Sequence, residues 1–219
     1  MTNLSDLSHE ALLEECHCIL TGEFFIALKS GQVANQYVDI DPLLTRPSYL
    51  DEIARRLSKL VTSSRIYPPQ ALACPAVGAI PLLYAFQRHF PPRQDTDQVV
   101  FAEKDGTDFA FKRRGFGELV AGKKVLVIED ITTTGQSAKK VGDQIIANGG
   151  VVCGYVFIWN RSPDTVNDTT MGATTLSLIS NNIPAWPQDE HPSWGVWPLI
   201  ENLGHPELVE KYPGERINF

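Results

Sequence analysis

The sequence predicts an α/β fold: an open, mostly parallel, twisted sheet flanked by helices, with a small hood from the N-terminal segment. Three observations predict it. After Tyr67-Pro68-Pro69, apolar runs alternate with helical periodicity in the order β, α, β. Val125-Leu126-Val127-Ile128 and the run over residues 151–159 carry no charge, as expected of strands covered on both faces. Small-residue or glycine-containing turns follow such runs, at the points where a strand hands over to a helix N-terminus.

Length and composition set the bounds. A chain of 219 residues fits one domain, with a hood over about 1–65, a core over about 66–180 and an irregular C-terminal segment over 181–219. Hydrophobic residues at 43% and charged residues at 21% are ordinary for a globular protein. A formal charge of −7 argues against a nucleic-acid partner and offers no basic stripe to a membrane surface. No apolar run approaches the roughly 20 residues that span a bilayer, and the first residues lack a signal-peptide pattern, so the expected compartment is cytoplasmic. Cys16, Cys18, Cys74 and Cys153 have no zinc-type spacing and read as reduced thiols.

Taken in order, residues 8–21 read as a helix capped by Ser8, with Leu12, Leu13, Cys16, Ile19 and Leu20 on its apolar face and Gly22 stopping it. Residues 23–28 and the run ending at Asp39 read as two strands joined through Ser30-Gly31. Pro42 and Pro47 bracket a loop, and Ser48 caps a helix over 49–62. Ala71-Leu72-Ala73-Cys74 is a short buried strand, Pro75-Ala76-Val77-Gly78-Ala79 a small-residue turn and 80–90 an apolar helix. Small residues at that strand end let a ligand approach the backbone, and equally serve close helix–strand packing.

Residues 98–103 form another strand. Residues 104–117 come next, glycine-containing and charged, and read as a mobile hairpin or lid rather than a core element. Its cations, Lys104, Lys112, Arg113 and Arg114, suit an anionic substrate, or else a solvated surface hairpin. A helix over 137–147 turns Ala138, Val141 and Ile145 inward and ends at Asn148-Gly149-Gly150. The strand over 151–159 leads into Asn160-Arg161-Ser162-Pro163, which places Arg161 at the same sheet edge as Asp130. Residues 176–180 suggest a last strand, and the Pro- and Trp-rich tail closes with a helix over 206–211.

The chemistry concentrates after Ile128, in Glu129-Asp130-Ile131-Thr132-Thr133-Thr134-Gly135-Gln136-Ser137. Hydroxyls and backbone N–H groups gathered at the positive end of a helix dipole suit a phosphate monoester. The adjacent carboxylates suit sugar hydroxyls and a hydrated divalent cation. Phosphate, ribose and metal-bound diphosphate together make a phosphoribosyl diphosphate (PRPP) site. Neither G-x-x-x-x-G-K-S/T nor G-x-G-x-x-G occurs, which argues against NTPase and dinucleotide readings.

The run E-D-I-T-T-T-G-Q-S after four apolar residues resembles the PRPP signature of type I phosphoribosyltransferases. Leu28-Lys29-Ser30-Gly31 with Tyr37-Val38-Asp39 resembles a segment of the orotate phosphoribosyltransferases, and Cys74-Pro75-Ala76-Val77-Gly78-Ala79-Ile80 is similar to their diphosphate-side turn. Phe101-Ala102-Glu103-Lys104 with Arg113-Arg114-Gly115-Phe116 is similar to the lid of one branch. Gly78 stands where another branch has a lysine, and Glu103, Thr107 and Phe109 stand where that branch carries lid cations.

The resemblance implies transfer of ribose 5-phosphate from PRPP to orotate, with Mg²⁺ as cofactor, PRPP and orotate as small-molecule partners, and a homodimer. It implies PRPP contacts from Glu129, Asp130, Ile131, Thr132, Thr133, Thr134, Gly135, Gln136 and Ser137. It implies orotate contacts from Thr133, Arg161 and Lys29, with Arg161 on the base's carboxylate. Ala76, Val77, Gly78, Lys104, Arg113 and Arg114 would serve the diphosphate, and Asp130 and Lys104 would be catalytic. Magnesium would be carried by PRPP and water, not by protein ligands directly. Two alternatives share the loop: a purine-type phosphoribosyltransferase and a non-catalytic PRPP-binding regulator.

Overall fold

A computed structural model describes residues 3–27, 32–66, 68–90, 98–187, 190–191, 193 and 195–200. The chain divides into two compact units, one from residues 1–12 and 46–182, the other from 13–45 and 183–219.

In the larger unit, the described strands form one six-stranded sheet. They are β3 (Ala71–Pro75), β4 (Val99–Asp105), β5 (Asp108–Ala110), β6 (Lys124–Thr132), β7 (Val151–Asn160) and β8 (Thr175–Ser180). Their order is β5-β4-β3-β6-β7-β8, parallel throughout except for the β4–β5 hairpin. The mostly parallel α/β sheet is thus the one expected. Side chains alternate along β6. Val125 and Val127 pack with Ala138, Val141 and Ile145 of α6 (Gln136–Ala147) in one core cluster. The opposite face is covered by α3 (Pro47–Thr62) and α4 (Ala79–His89), whose Ile53, Leu57, Leu83 and Phe86 are fully buried. Burial on both faces is why β6 and β7 read as uncharged runs.

Strand order changes direction between β3 and β6: β4 follows β3 to one side, and β7 follows β6 to the other. In open parallel sheets a crevice opens at such a switch point, beyond the strands' C-terminal ends. The turn after β3 and the loop after β6 both lie there.

The smaller unit holds a second sheet in the order β10-β1-β2-β9, from β1 (Ile19–Ala27), β2 (Gln32–Val38), β9 (Trp186–Pro187) and β10 (Leu199–Ile200). Strands β1 and β2 pair antiparallel, as the hairpin signal predicts; residues 28–31 between them, Lys29 included, lie outside the described residues. The tail is not wholly irregular. Its two short strands flank the hairpin, β9 on β2 and β10 on β1. The expected helix over 206–211 lies outside the described residues.

The first helix is shorter than periodicity predicts. Helix α1 is His9–Glu15, with His17 at φ 59° in the left-handed region, and Cys18 donates its N–H to the Leu13 carbonyl at 2.9 Å. Ile19 and Leu20 pair with Val38 and Tyr37 instead of continuing a helix. Strand pairing overrides local helical pattern here. Gly22 therefore sits inside β1, where a methyl group would lie 2.5 Å from the Phe24 ring. Helix α3 begins at Pro47, with no side-chain cap from Ser48; proline at the first position sacrifices only an N–H that has no helical partner anyway. Short helices α2 (Asp41–Leu44), α5 (Phe116–Val120) and α7 (Asp168–Met171) carry too little periodicity to be read from sequence.

Candidate active site

Strand β6 delivers the two carboxylates unequally. Glu129 is 8% exposed, and its carboxyl lies against the Ser137 hydroxyl and the Ala138 N–H at the start of α6. Burial, and secondarily the Asp130 carboxylate, push its pKa up to about 8, against the pull of those two donors. Asp130 is half-buried and accepts the Ile131 N–H at 2.7 Å. The same field reaches β3: burial, then Glu129 and Asp130, push the Cys74 thiol up.

The loop after β6 is built on two devices. Thr132 is buried and its Oγ1 accepts the Gly135 N–H at 2.9 Å. Gly135 takes φ 73°, a conformation that favours glycine, and gives α6 no side-chain cap. A methyl group there would also lie 2.7 Å from the Met171 sulfur. The outcome is a loop that keeps Thr133, Thr134 and Gln136 exposed at a helix end whose N-cap residue carries no side chain, while Ile131 and Ser137 are half-buried. Exposed hydroxyls at a helix N-terminus suit a phosphate group.

The turn after β3 meets this loop. A methyl group on Gly78 would lie 3.4 Å from Asp130 Oδ2, which places the turn directly beside that carboxylate. Ala76 donates its N–H to the Ala102 carbonyl at 2.8 Å, and Val77, joined to Ala76 by a cis peptide bond, is strongly exposed.

Arg161 follows β7, where Thr132 and Asn160 are register partners, and donates its backbone N–H to the Thr132 carbonyl at 2.9 Å. The predicted arginine thus stands one hydrogen bond from the hydroxyl loop.

The residues expected to form a lid are more anchored than their composition predicts. Phe109 of β5 is buried in the core cluster with Val120 and Ala138. Arg113 pairs with Glu103 at 3.0 Å and lies 5.8 Å from the Phe101 ring centroid; Lys112 pairs with Asp105 at 3.2 Å. Two of the four cations therefore already face carboxylates. Among the described residues, Lys104 and Arg114 make no ion pair. Lys29 lies outside the described residues.

Two contributors escape a sequence reading. Asn160 looks like the end of a strand, yet its buried carboxamide organises the loop that leaves it. Met171 supports Gly135 from a helix too short to leave a pattern.

The fold and loop together define a phosphoribosyltransferase. The model of the phosphoribosyl transferase domain matches residues 39–191, and the chain belongs to that family. Within it, the similarity runs to the orotate phosphoribosyltransferases. The enzyme of that name from Methanothermobacter thermautotrophicus is 30% identical over 181 residues, spanning 81% of this chain and 94% of the relative. The one from Thermotoga maritima is 30% identical over 83% of this chain and 89% of its own length. Among solved structures, Mycobacterium tuberculosis orotate phosphoribosyltransferase in complex with PRPP superposes with a TM-score of 0.55 over 78% of this chain and 88% of that one, at 20% identity.

Proposed function

We infer that the protein transfers ribose 5-phosphate from PRPP to orotate, giving orotidine 5′-monophosphate and diphosphate in pyrimidine biosynthesis. The observation that carries this reading is the hydroxyl loop at the switch point with Arg161 bonded to its Thr132 carbonyl. Relatives named for this activity, alike over four fifths of the chain, support it.

The ring nitrogen of the base forms a bond to C1 of the ribose as the C1–O bond to diphosphate breaks, and positive charge spreads over the ribose. The residues act mainly by placement and by fixed charge. Exposed Thr133, Thr134 and Gln136, with the first N–H groups of α6, hold the 5′-phosphate. Asp130 holds ribose hydroxyls and faces the positive ring, with Glu129 behind it. Ala76, Val77 and Gly78 leave room for diphosphate. Lys104 and Arg114 supply its countercharge, and Arg113 does so on release from Glu103. Arg161 receives the orotate carboxylate through a planar fork, beside Thr133.

The donor set fits Mg²⁺ carried in by PRPP. Among the described residues, no cluster of three or more His, Cys, Asp or Glu converges to form a protein cage. A magnesium ion that keeps its waters needs only one or two carboxylates besides the phosphates. When bound, it offsets leaving-group charge. No described helix is long and apolar enough to cross a membrane. A homodimer in the cytoplasm completes the reading; sedimentation of the purified chain tests the dimer.

The deciding assay supplies PRPP, Mg²⁺ and, in turn, orotate, adenine, hypoxanthine, xanthine and uracil. Product with orotate alone is expected. Turnover of a purine instead identifies a purine-type enzyme. PRPP binding by calorimetry without turnover of any base identifies a regulator. Arg161→Ala is expected to raise the orotate KM by roughly 10- to 150-fold, the loss of one charge-assisted contact of about 1.5–3 kcal/mol.

A further inference from the structure

We propose that Asn160 is a positioning residue of the transfer reaction: its carboxamide fastens the loop that begins at Arg161 and ends beneath the PRPP loop. The inference rests on the reading of Arg161 as the acceptor-side residue. Asn160 is 3% exposed, and its side chain is used at both ends. Its Oδ1 accepts the Ser162 N–H at 3.1 Å; its Nδ2 donates to the Val166 carbonyl at 2.7 Å. One carboxamide therefore ties Ser162, the residue after Arg161, to Val166 four positions further on. The loop also closes on itself, with Val166 donating its N–H to the Ser162 carbonyl at 2.8 Å.

Both ends of this loop lie beside the donor site. At its start, Arg161 donates its N–H to the Thr132 carbonyl. At its end, Val166 is 1% exposed, and its methyl group lies 3.5 Å from where a methyl on Gly135 would sit; Met171 lies closer still. Gly135 in turn is bonded to the Thr132 hydroxyl. Asn160 thus closes a circuit: Thr132 to Arg161, around the loop to Val166, across to Gly135 and back to Thr132. Its own register partner in the sheet is Thr132. No other side-chain type of this size offers one acceptor and one donor from the same planar group. An aspartate would set a carboxylate against the Val166 carbonyl, and an alanine would leave that buried carbonyl and the half-buried Ser162 N–H without their partner.

The test compares Asn160→Ala, Arg161→Ala and the double variant, measuring the orotate KM and kcat, and the PRPP Kd by calorimetry. Arg161→Ala raises the orotate KM and leaves the PRPP Kd within about twofold. Asn160→Ala is expected to raise the orotate KM about tenfold and the PRPP Kd about threefold or more. The double variant is expected to be no worse towards orotate than Arg161→Ala, because the two residues act through one contact. A residue that merely stabilises the fold would lower the melting temperature and the active fraction without moving either constant. Multiplying effects in the double variant, or unmoved constants in folded Asn160→Ala, overturn the proposal. An unmoved orotate KM in Arg161→Ala overturns instead the acceptor-side reading beneath it. Should Asn160→Ala fail to fold, Asn160→Ser, which keeps a hydroxyl near the Ser162 N–H, carries the same cycle.

Discussion

Glu129 and Asp130 are neighbours in sequence with opposite environments. The buried Glu129 carboxyl, with its pKa pushed up to about 8, holds its proton in the folded chain at pH values where the unfolded chain has lost it. The folded state then binds more protons than the unfolded state between about pH 4.5 and 8. Stability from this group therefore falls as pH rises across that window and levels off above it. Glu129→Gln keeps the shape and cannot ionise. It is expected to flatten the pH dependence of unfolding and to be more stable than the parent above pH 8, by roughly 1–4 kcal/mol, as read by chemical denaturation. A parent and variant with parallel stability-versus-pH curves would refute the assignment. Asp130→Asn carries the complementary expectation: a large fall in kcat with an unfolding midpoint close to the parent's, because a half-exposed carboxylate contributes little to stability.

The element that decides the site is the β6–loop–α6 unit, and its geometry rests on Gly135. Gly135→Ala sets a methyl group against the Met171 sulfur and forces φ 73° on a side-chain-bearing residue. Destabilisation of about 1–3 kcal/mol and a weakened PRPP Kd are expected. Adding Met171→Ala relieves the contact but not the dihedral, so only part of the loss should return. This element was legible in the sequence because a doubly covered strand leaves a charge-free run and a helix leaves a period. Both patterns survive in Val125 to Ile128 and in Ala138, Val141 and Ile145. Residues 8–21 misled for the same reason turned about: Ile19 and Leu20 fit a helical face, and only their partners Tyr37 and Val38, met far later in the chain, make them a strand. The lid shows a third case. Its charges were visible, but Arg113 meeting Glu103 depends on a hairpin register that composition does not encode. Asn160 left no trace, since its importance lies in bonds to backbone groups that any residue would present.

At the scale of the whole molecule, the larger unit carries the switch-point crevice, the hydroxyl loop after β6 and Arg161, while the smaller carries the segment of Lys29. The smaller unit depends on the tail. Phe25 donates its N–H to the Pro198 carbonyl at 2.8 Å, and its ring lies 5.3 Å from Trp197 and 4.8 Å from His191. Removing residues 183–219 takes both flanking strands and these rings away. Such a truncation is expected to leave the larger unit's thermal transition recognisable while the 13–45 segment becomes the first site of limited proteolysis. Protection of that segment in the truncated chain would count against the sheet order β10-β1-β2-β9.

That sheet also has a history in time. Its central hairpin is synthesised well before its outer strands, which come from residues 186–187 and 199–200. Roughly 150 residues separate β2 from β9, about 8 to 30 seconds of synthesis at ordinary elongation rates. Through that interval the hairpin has two open edges and no flanking strands, a state prone to pairing with other chains. A nascent chain is thus expected to need shielding until residue 200 has been added, and a stop near residue 180 should be far more harmful to solubility than the loss of two such short strands would suggest.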